Sequence, residues 1–332
     1  MERKIIFECR VGSHLYGTNR PESDEDFLGV FLPSTDDIFS LENCPGEWAM
    51  NEKLSTGPRN AQGDTDRKYY SVQKFLKLLG QGQPWAREMA FAPGDMWVTA
   101  TEEWAKFLPY RRIFLSQNSI QPFIGFAKAQ AYKATLKGDN LNLIRRLIEK
   151  INNDNANSII RDLCSGCTAN ENQEIIEVEF LNEQVKVEQS QYRPGVFMDC
   201  IVIAGRKFEF TKKVKDVRNQ LKELENRYGT RSEAAAEHGY DFKSLLHTYR
   251  LLGEAEELLS TGKMTLPRPP EQVALLKKIR AGEYEADFFQ EIEDKLTEIR
   301  KIDSPLPKNV NWSKINELCK DILTQHLLKG IS

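Results

Sequence analysis

Asp24 and Asp26 are the residues of this sequence best placed to do chemistry. They lead into an apolar run (Phe27, Leu28, Val30, Phe31 and Leu32) that reads as a β-strand. Strand side chains alternate between faces, so Asp24 and Asp26 point one way and Glu25 the other. Two carboxylates held side by side repel each other, and a shared hard cation is the usual physical reason to keep them there. Mg²⁺, or Mn²⁺ in its place, suits such a pair. Mg²⁺ prefers oxygen ligands and is often held by one or two carboxylates plus the phosphates of a substrate.

Upstream, Gly12 and Ser13 follow a second apolar run containing Ile5, Ile6, Phe7, Cys9 and Val11. A glycine lets the backbone approach a ligand closely. Ser13 adds a hydroxyl and an N–H at the start of the next element, where anions bind well. The elements needed to position these groups are a strand, a tight glycine turn, a short loop and a second strand.

From Gly12 to Asp26 the chain reads G-S-H-L-Y-G-T-N-R-P-E-S-D-E-D. Gly-Ser, a spacer of about ten residues and Asp-x-Asp resembles the nucleotidyltransferase motif of the DNA polymerase beta superfamily. The longer form, G-S-x-x-Y-G-T-x-x-P-x-S-D-x-D, resembles one branch of it, the RNA-repair-ligase-associated nucleotidyltransferases. The resemblance implies in-line attack of a hydroxyl on the α-phosphate of a nucleoside triphosphate, with two metal ions and a bridging carboxylate pair. It also implies a third carboxylate on a later strand, just before a helix. Val72, Phe75, Leu76 and Leu79 have helical spacing and mark that helix. Counting back from it gives Asp66, with Asp64 as its competitor, because a shift of two residues keeps the same face. Thr65 and Arg67 flank Asp66 where the family pattern has apolar residues.

A second constellation lies further on: Arg231, then H-G-Y-D-F-K-S-L-L-H-T-Y-R-L-L from His238 to Leu252. Asp241 suits an N-cap. Lys243, His247 and Arg250 are spaced i, i+4 and i+7, so they share one helix face beside an apolar stripe of Leu245, Leu246, Tyr249 and Leu252. Such a cationic face could reach a triphosphate across a partly dry cleft. The related branch carries a similar G-Y-D-x-K-x-x-x-H-x-x-R-L-L, which implies nucleotide binding for these residues. A solvated basic helix face is the competing reading. Glu88, in R-E-M-A-F, is similar to an E-x-L-F element of the branch, and His14 adjoins Ser13. Arg111-Arg112, Arg145-Arg146, and Arg206-Lys207 with Lys212, Lys213 and Lys215 are basic clusters that could hold a nucleic-acid backbone or simply solvate a surface.

The 332 residues suggest about two domains, and 40% hydrophobic with 29% charged residues is an ordinary globular composition. A net charge of −3 excludes a global basic footprint for nucleic acid. No apolar run approaches a membrane span, and M-E-R-K-I-I-F-E lacks a signal-peptide core, so the chain is expected to be cytoplasmic. Cys164 and Cys167 form a C-S-G-C without a second half-site, which favours reduced, structural thiols over a zinc site.

These readings combine into one expectation. Residues 1–100 form an α/β (α+β) nucleotidyltransferase domain with a mixed sheet. Residues 101–332 form a mostly helical domain with a small antiparallel β insertion at about 174–210, turning at Ala204-Gly205-Arg206. Helices are expected over 122–137, 141–151, 213–260 and 285–329, the last two separated by a Pro-rich loop. The expected reaction moves a nucleoside monophosphate to an acceptor hydroxyl on RNA or DNA, with RNA favoured over DNA. A protein acceptor (NMPylation) and a triphosphate-binding module without turnover are the alternatives.

Overall fold

The two apolar runs around the glycine turn become antiparallel neighbours. In a computed structural model, which describes residues 3–21, 23–39, 46–52, 65–171, 173–193, 196–227, 241–284 and 287–329, β1 (Lys4–Arg10) leads through a short α1 (Ser13–Tyr16) to β2 (Glu25–Leu32). After α2 (Thr35–Phe39) and β3 (Glu47–Glu52), β4 (Thr65–Ser71) runs parallel to β2 and antiparallel to β3. Then come α3 (Val72–Gly80), α4 (Pro84–Phe91), β5 (Trp97–Ala100) and α5 (Glu102–Phe107). The strands make one mixed sheet in the order β3-β4-β2-β1-β5. The two apolar runs form β1 and β2, and the later strand with Asp66 and the helix after it form β4 and α3, as expected.

Alternation gives this sheet two different faces. One carries Phe7, Cys9, Val30, Leu32 and Tyr70, all buried against Phe75, Leu76 and Leu79 of α3 and Trp104 and Phe107 of α5. The Phe7 and Trp104 rings stack 3.7 Å apart. Each such side chain taken out of water contributes about 1.5–3 kcal/mol. Ser71 caps α3 by accepting the Lys74 N–H at 3.3 Å. On the other face, Tyr69 lies over Gly29, where a β-carbon would sit 2.5 Å from the ring and 2.7 Å from the Phe7 carbonyl. Only glycine fits there.

The chain continues with α6 (Gln117–Lys150), five strands β6 (Cys164–Ala169), β7 (Ile175–Phe180), β8 (Glu183–Arg193), β9 (Val196–Ile203) and β10 (Arg206–Glu209), and α7 (Val214–Arg227). It ends with α8 (Phe242–Thr261), α9 (Pro270–Ala281), α10 (Phe288–Arg300) and α11 (Trp312–Lys329). Two compact units result: Met1–Gln130 with Leu246–Ser332, and Ala131–Leu245. The division expected at residue 100 falls elsewhere, because C-terminal helices complete the first unit. Ile315, Leu318 and Ile322 of α11 enter the core under the first sheet, and Gly80 lets the Trp312 ring close on α3.

In the second unit the five strands form an antiparallel sheet, order β10-β9-β8-β7-β6, over a core of Phe180, Ile201, Ile203, Phe208, Leu147 and Val217. Ala204 and Gly205, both at positive φ, make the expected hairpin turn. The sheet begins at Cys164, ten residues earlier than expected; β6 is built of small residues, exposed at nearly every position, which carry no strand pattern. The helices expected over 122–137 and 141–151 are one helix, α6, which runs through Gly138. An isolated helical glycine costs only about 1 kcal/mol. Part of the Pro-rich segment starts α9, with Pro270 at its first turn, where a proline lacks no needed donor. The expected helix over 285–329 is interrupted between Arg300 and Trp312, where Pro305 and Pro307 follow α10. Among the described residues no helix is long and apolar enough to cross a membrane.

Candidate active site

The paired register of β2 and β4 sets Asp26 directly opposite Asp66. Residues paired in this way project from the same face, so two of the expected carboxylates are brought side by side near the start of both strands. Asp26 is exposed and Asp66 partly buried; Asp24, one residue before β2, is exposed. Glu25 projects the other way and pairs with Arg10 at 3.1 Å, as alternation requires. Asp64 lies outside the described residues. The polar neighbours of Asp66 also have a cause. Arg67 faces away from the helices, where it pairs with Glu8 and lies 4.3 Å from the Phe27 ring centroid.

Gly12 adjoins this pair. Its φ of 69° and ψ of −143° belong to glycine, and a β-carbon there would meet Asp26 Oδ2 at 3.3 Å. The Val11 N–H donates to the Asp26 carbonyl at 2.8 Å, which ties the turn to β2 at the carboxylate itself. Ser13 opens α1, but α1 is a single turn of four residues. The anion-favouring dipole of a full helix is therefore not available, and what the turn offers is the Ser13 hydroxyl and its peptide N–H groups. His14 is half-buried in the same turn. The donor set is all oxygen, which fits a hard cation. Among the described residues no three His, Cys, Asp or Glu side chains form a ready-made metal cage. A carboxylate pair completed by substrate phosphates does not need one.

Residues 1–148 match the model of the RlaP family, described as RNA repair pathway DNA polymerase beta family. The match covers less than half of the chain, and this segment is similar to that family. Over 94% of its length the chain is also 25% identical to 94% of an uncharacterized 38.9 kDa protein of the nrdC-mobD intergenic region of Enterobacteria phage T4. No solved structure matches the chain. The RlaP segment contains the whole Gly12–Asp26 stretch, Asp66 and Glu88, and its superfamily points to nucleotidyl transfer as the reaction class.

The RlaP segment ends within α6, so Lys243, His247 and Arg250 lie outside it. Asp241 does cap α8, accepting the N–H groups of Lys243 at 3.1 Å and Ser244 at 3.4 Å. The three cationic residues share a helical row but not an environment: Lys243 is exposed, His247 half-buried and Arg250 only 6% exposed. Arg250 is thus corrected as a phosphate ligand on an open face. Its Nη1 donates to Glu88 Oε1 at 2.5 Å and to both Glu254 oxygens at 2.8 and 3.0 Å, and its guanidinium lies 3.8 Å from the Tyr16 ring centroid. Tyr16 in turn donates its O–H to Glu88 Oε2 at 2.6 Å. Burial opposes the charge on Arg250, yet Glu254 and Glu88 outweigh it and hold the guanidinium protonated. Burial pushes Glu254 up to about 7 against the pull of Arg250. Arg231 lies outside the described residues.

Sequence reasoning missed Tyr16, Glu254 and the neighbouring Arg87, whose guanidinium is buried and donates to the Phe114 and Ser119 carbonyls. The signal for Glu254 was present: Arg250 and Glu254 are an i, i+4 pair set among Leu251, Leu252 and Ala255, which leaves the pair no polar face. The basic clusters are partly neutralised locally, Arg145 by Glu225, Arg146 by Glu183 and Lys207 by Glu188. Cys164 and Cys167 are free thiols on β6. A cavity of about 350 Å³ along α8, α9 and α10 is lined by Glu256, Glu291, Asp294 and Glu298 against Arg250 and Lys295, an acidic balance that disfavours a triphosphate.

Proposed function

We propose that this chain transfers a nucleoside monophosphate from a nucleoside triphosphate to an acceptor hydroxyl, with RNA as the acceptor. One observation carries the reading: Asp26 stands in register with Asp66 while the Gly12 turn lies against the Asp26 carboxylate. The RlaP description, with its RNA repair pathway, supports RNA over DNA or protein.

Asp24, Asp26 and Asp66 would hold Mg²⁺ or Mn²⁺, which when bound lowers the barrier by offsetting charge on the attacking and leaving oxygens. The chain's own groups do the positioning. The Gly12 turn brings backbone close enough to touch phosphate, and Ser13 donates a hydroxyl and an N–H to it. Lys243 is exposed on the first turn of α8, and we keep it and His247 as triphosphate-binding candidates.

The test is a labelled triphosphate offered separately to RNA, DNA and protein, with each product resolved on gels. Label on the RNA end is the expected result. Label on protein would replace the acceptor and keep the reaction. Binding of triphosphate without pyrophosphate release from any acceptor would leave a binding module instead.

A further inference from the structure

We propose that Tyr16 and Glu88 are positioning residues for nucleotidyl transfer, fixing the Gly12–Ser13 turn against the Asp26 carboxylate. This inference rests on the function proposed above and assigns the buried polar network a part in it.

The turn is closed on itself: Tyr16 N–H donates to the Gly12 carbonyl at 3.2 Å and Thr18 N–H to the Ser13 carbonyl at 2.9 Å. A displacement of Tyr16 or Thr18 is therefore passed to Gly12 and Ser13. Three arginines from the C-terminal segment hold that closed turn. Arg250 covers the Tyr16 ring, the Arg268 N–H donates to the Tyr16 carbonyl at 3.3 Å, and Arg280 Nη1 donates to the Thr18 carbonyl at 3.1 Å. Between them Gly17 sits so close to Pro267 and Val273 that a β-carbon would touch both.

Glu88 joins these pieces. One of its oxygens receives the Arg250 guanidinium and the other the Tyr16 hydroxyl, so a residue of α4 fixes both the cation and the tyrosine beneath it. A buried ionic network is seldom the most stable filling of such a space, since apolar residues of similar volume often do as well or better. Its directional bonds offer something an apolar filling does not, a single orientation of Tyr16. Misplacing a reacting group by about 1 Å can lower a rate by about 100-fold. The turn that meets Asp26 is where such a displacement would matter.

Tyr16→Phe removes only the hydroxyl and keeps the ring under Arg250. Two readouts are needed on the full chain: hydrogen–deuterium exchange over residues 11–18, and transfer kinetics with saturating acceptor. The expected result is faster exchange confined to that segment and a rise of about 10-fold or more in the triphosphate KM, with a smaller change in kcat. Glu88→Gln, which keeps the side-chain length and one of the two acceptor oxygens, should fall nearer to wild type than Glu88→Ala. Ile322→Val, a small core change on α11, controls for lost stability and should leave exchange over 11–18 unaltered. Wild-type exchange and KM in Tyr16→Phe, with Asp26→Asn inactive, would overturn the positioning role and leave the proposed reaction standing. Full activity in Asp26→Asn, or no transfer by wild type, would overturn both.

Discussion

Asp26 and Asp66 face each other across the parallel strands β2 and β4. They lie far apart in sequence, yet register alone puts both carboxylates on one face. Gly12 adjoins the first of them. The predictions follow from how these groups are placed and held.

Asp26→Asn should leave the fold intact, because an exposed carboxylate contributes little to stability, within about 0.5 kcal/mol. It should lose ligand stabilisation. A triphosphate at about 100 times its Kd with Mg²⁺ stabilises the folded state by about 2.7 kcal/mol. Thermal melts with and without Mg²⁺-triphosphate should show an upward shift for wild type and little or none for the variant. An equal shift in both would remove Asp26 from the site.

Gly12→Ala places a β-carbon at 3.3 Å from Asp26 Oδ2 on a backbone at φ 69°. The strain is about 1–3 kcal/mol. Chemical denaturation should register that loss, and transfer should fall more steeply than stability does. A variant as stable as wild type would mean that the turn tolerates a side chain.

Arg250→Ala leaves Glu88 and Glu254 buried without their cation, and breaking such a pair costs about 3–5 kcal/mol. Lys243→Ala removes an exposed charge and should change stability by less than about 0.5 kcal/mol. Urea unfolding of the two variants checks both. A stable Arg250→Ala protein that binds triphosphate weakly would return Arg250 to the role of a ligand.

The Glu254 carboxyl, lifted by burial from 4.5 to about 7, makes stability depend on pH. It is faced by Arg250, Glu88, Arg268 and Tyr16. Its folded form holds a proton more tightly than the unfolded chain, so the contribution is fully present below about pH 4.5 and is lost as pH rises through about 7. Carboxylates with lowered values, Asp37, Glu47 and Glu183, act in the opposite sense and below pH 4.5. Between pH 5.5 and 7.5 the wild-type Tm should therefore fall more than that of Glu254→Gln. Parallel profiles would show that Glu254 does not titrate there.

The first sheet was legible because its strands are apolar runs bounded by a glycine turn and by a helix of clear period. Asp24 and Asp26 announced themselves by spacing. Asp66 was harder, since its strand neighbours Thr65 and Arg67 are polar; the reason is a Glu8–Arg67 pair on the outer face, which single-strand reasoning does not see. Arg250 was misjudged because helical spacing tells which residues share a row and not how deeply each is buried. Its true partners, Glu88 and Tyr16, lie far away in sequence, and only tertiary contact reveals them. The β6 strand escaped notice because its residues are small and show no alternation of bulky apolar side chains.

The most direct test of the account is pyrophosphate release by wild type and by Asp26→Asn, measured with RNA, a nucleoside triphosphate and Mg²⁺. The account predicts one pyrophosphate per nucleotide added by wild type, dependence on the divalent ion, and loss of release in a variant that melts at the wild-type temperature. Undiminished release from Asp26→Asn would contradict it.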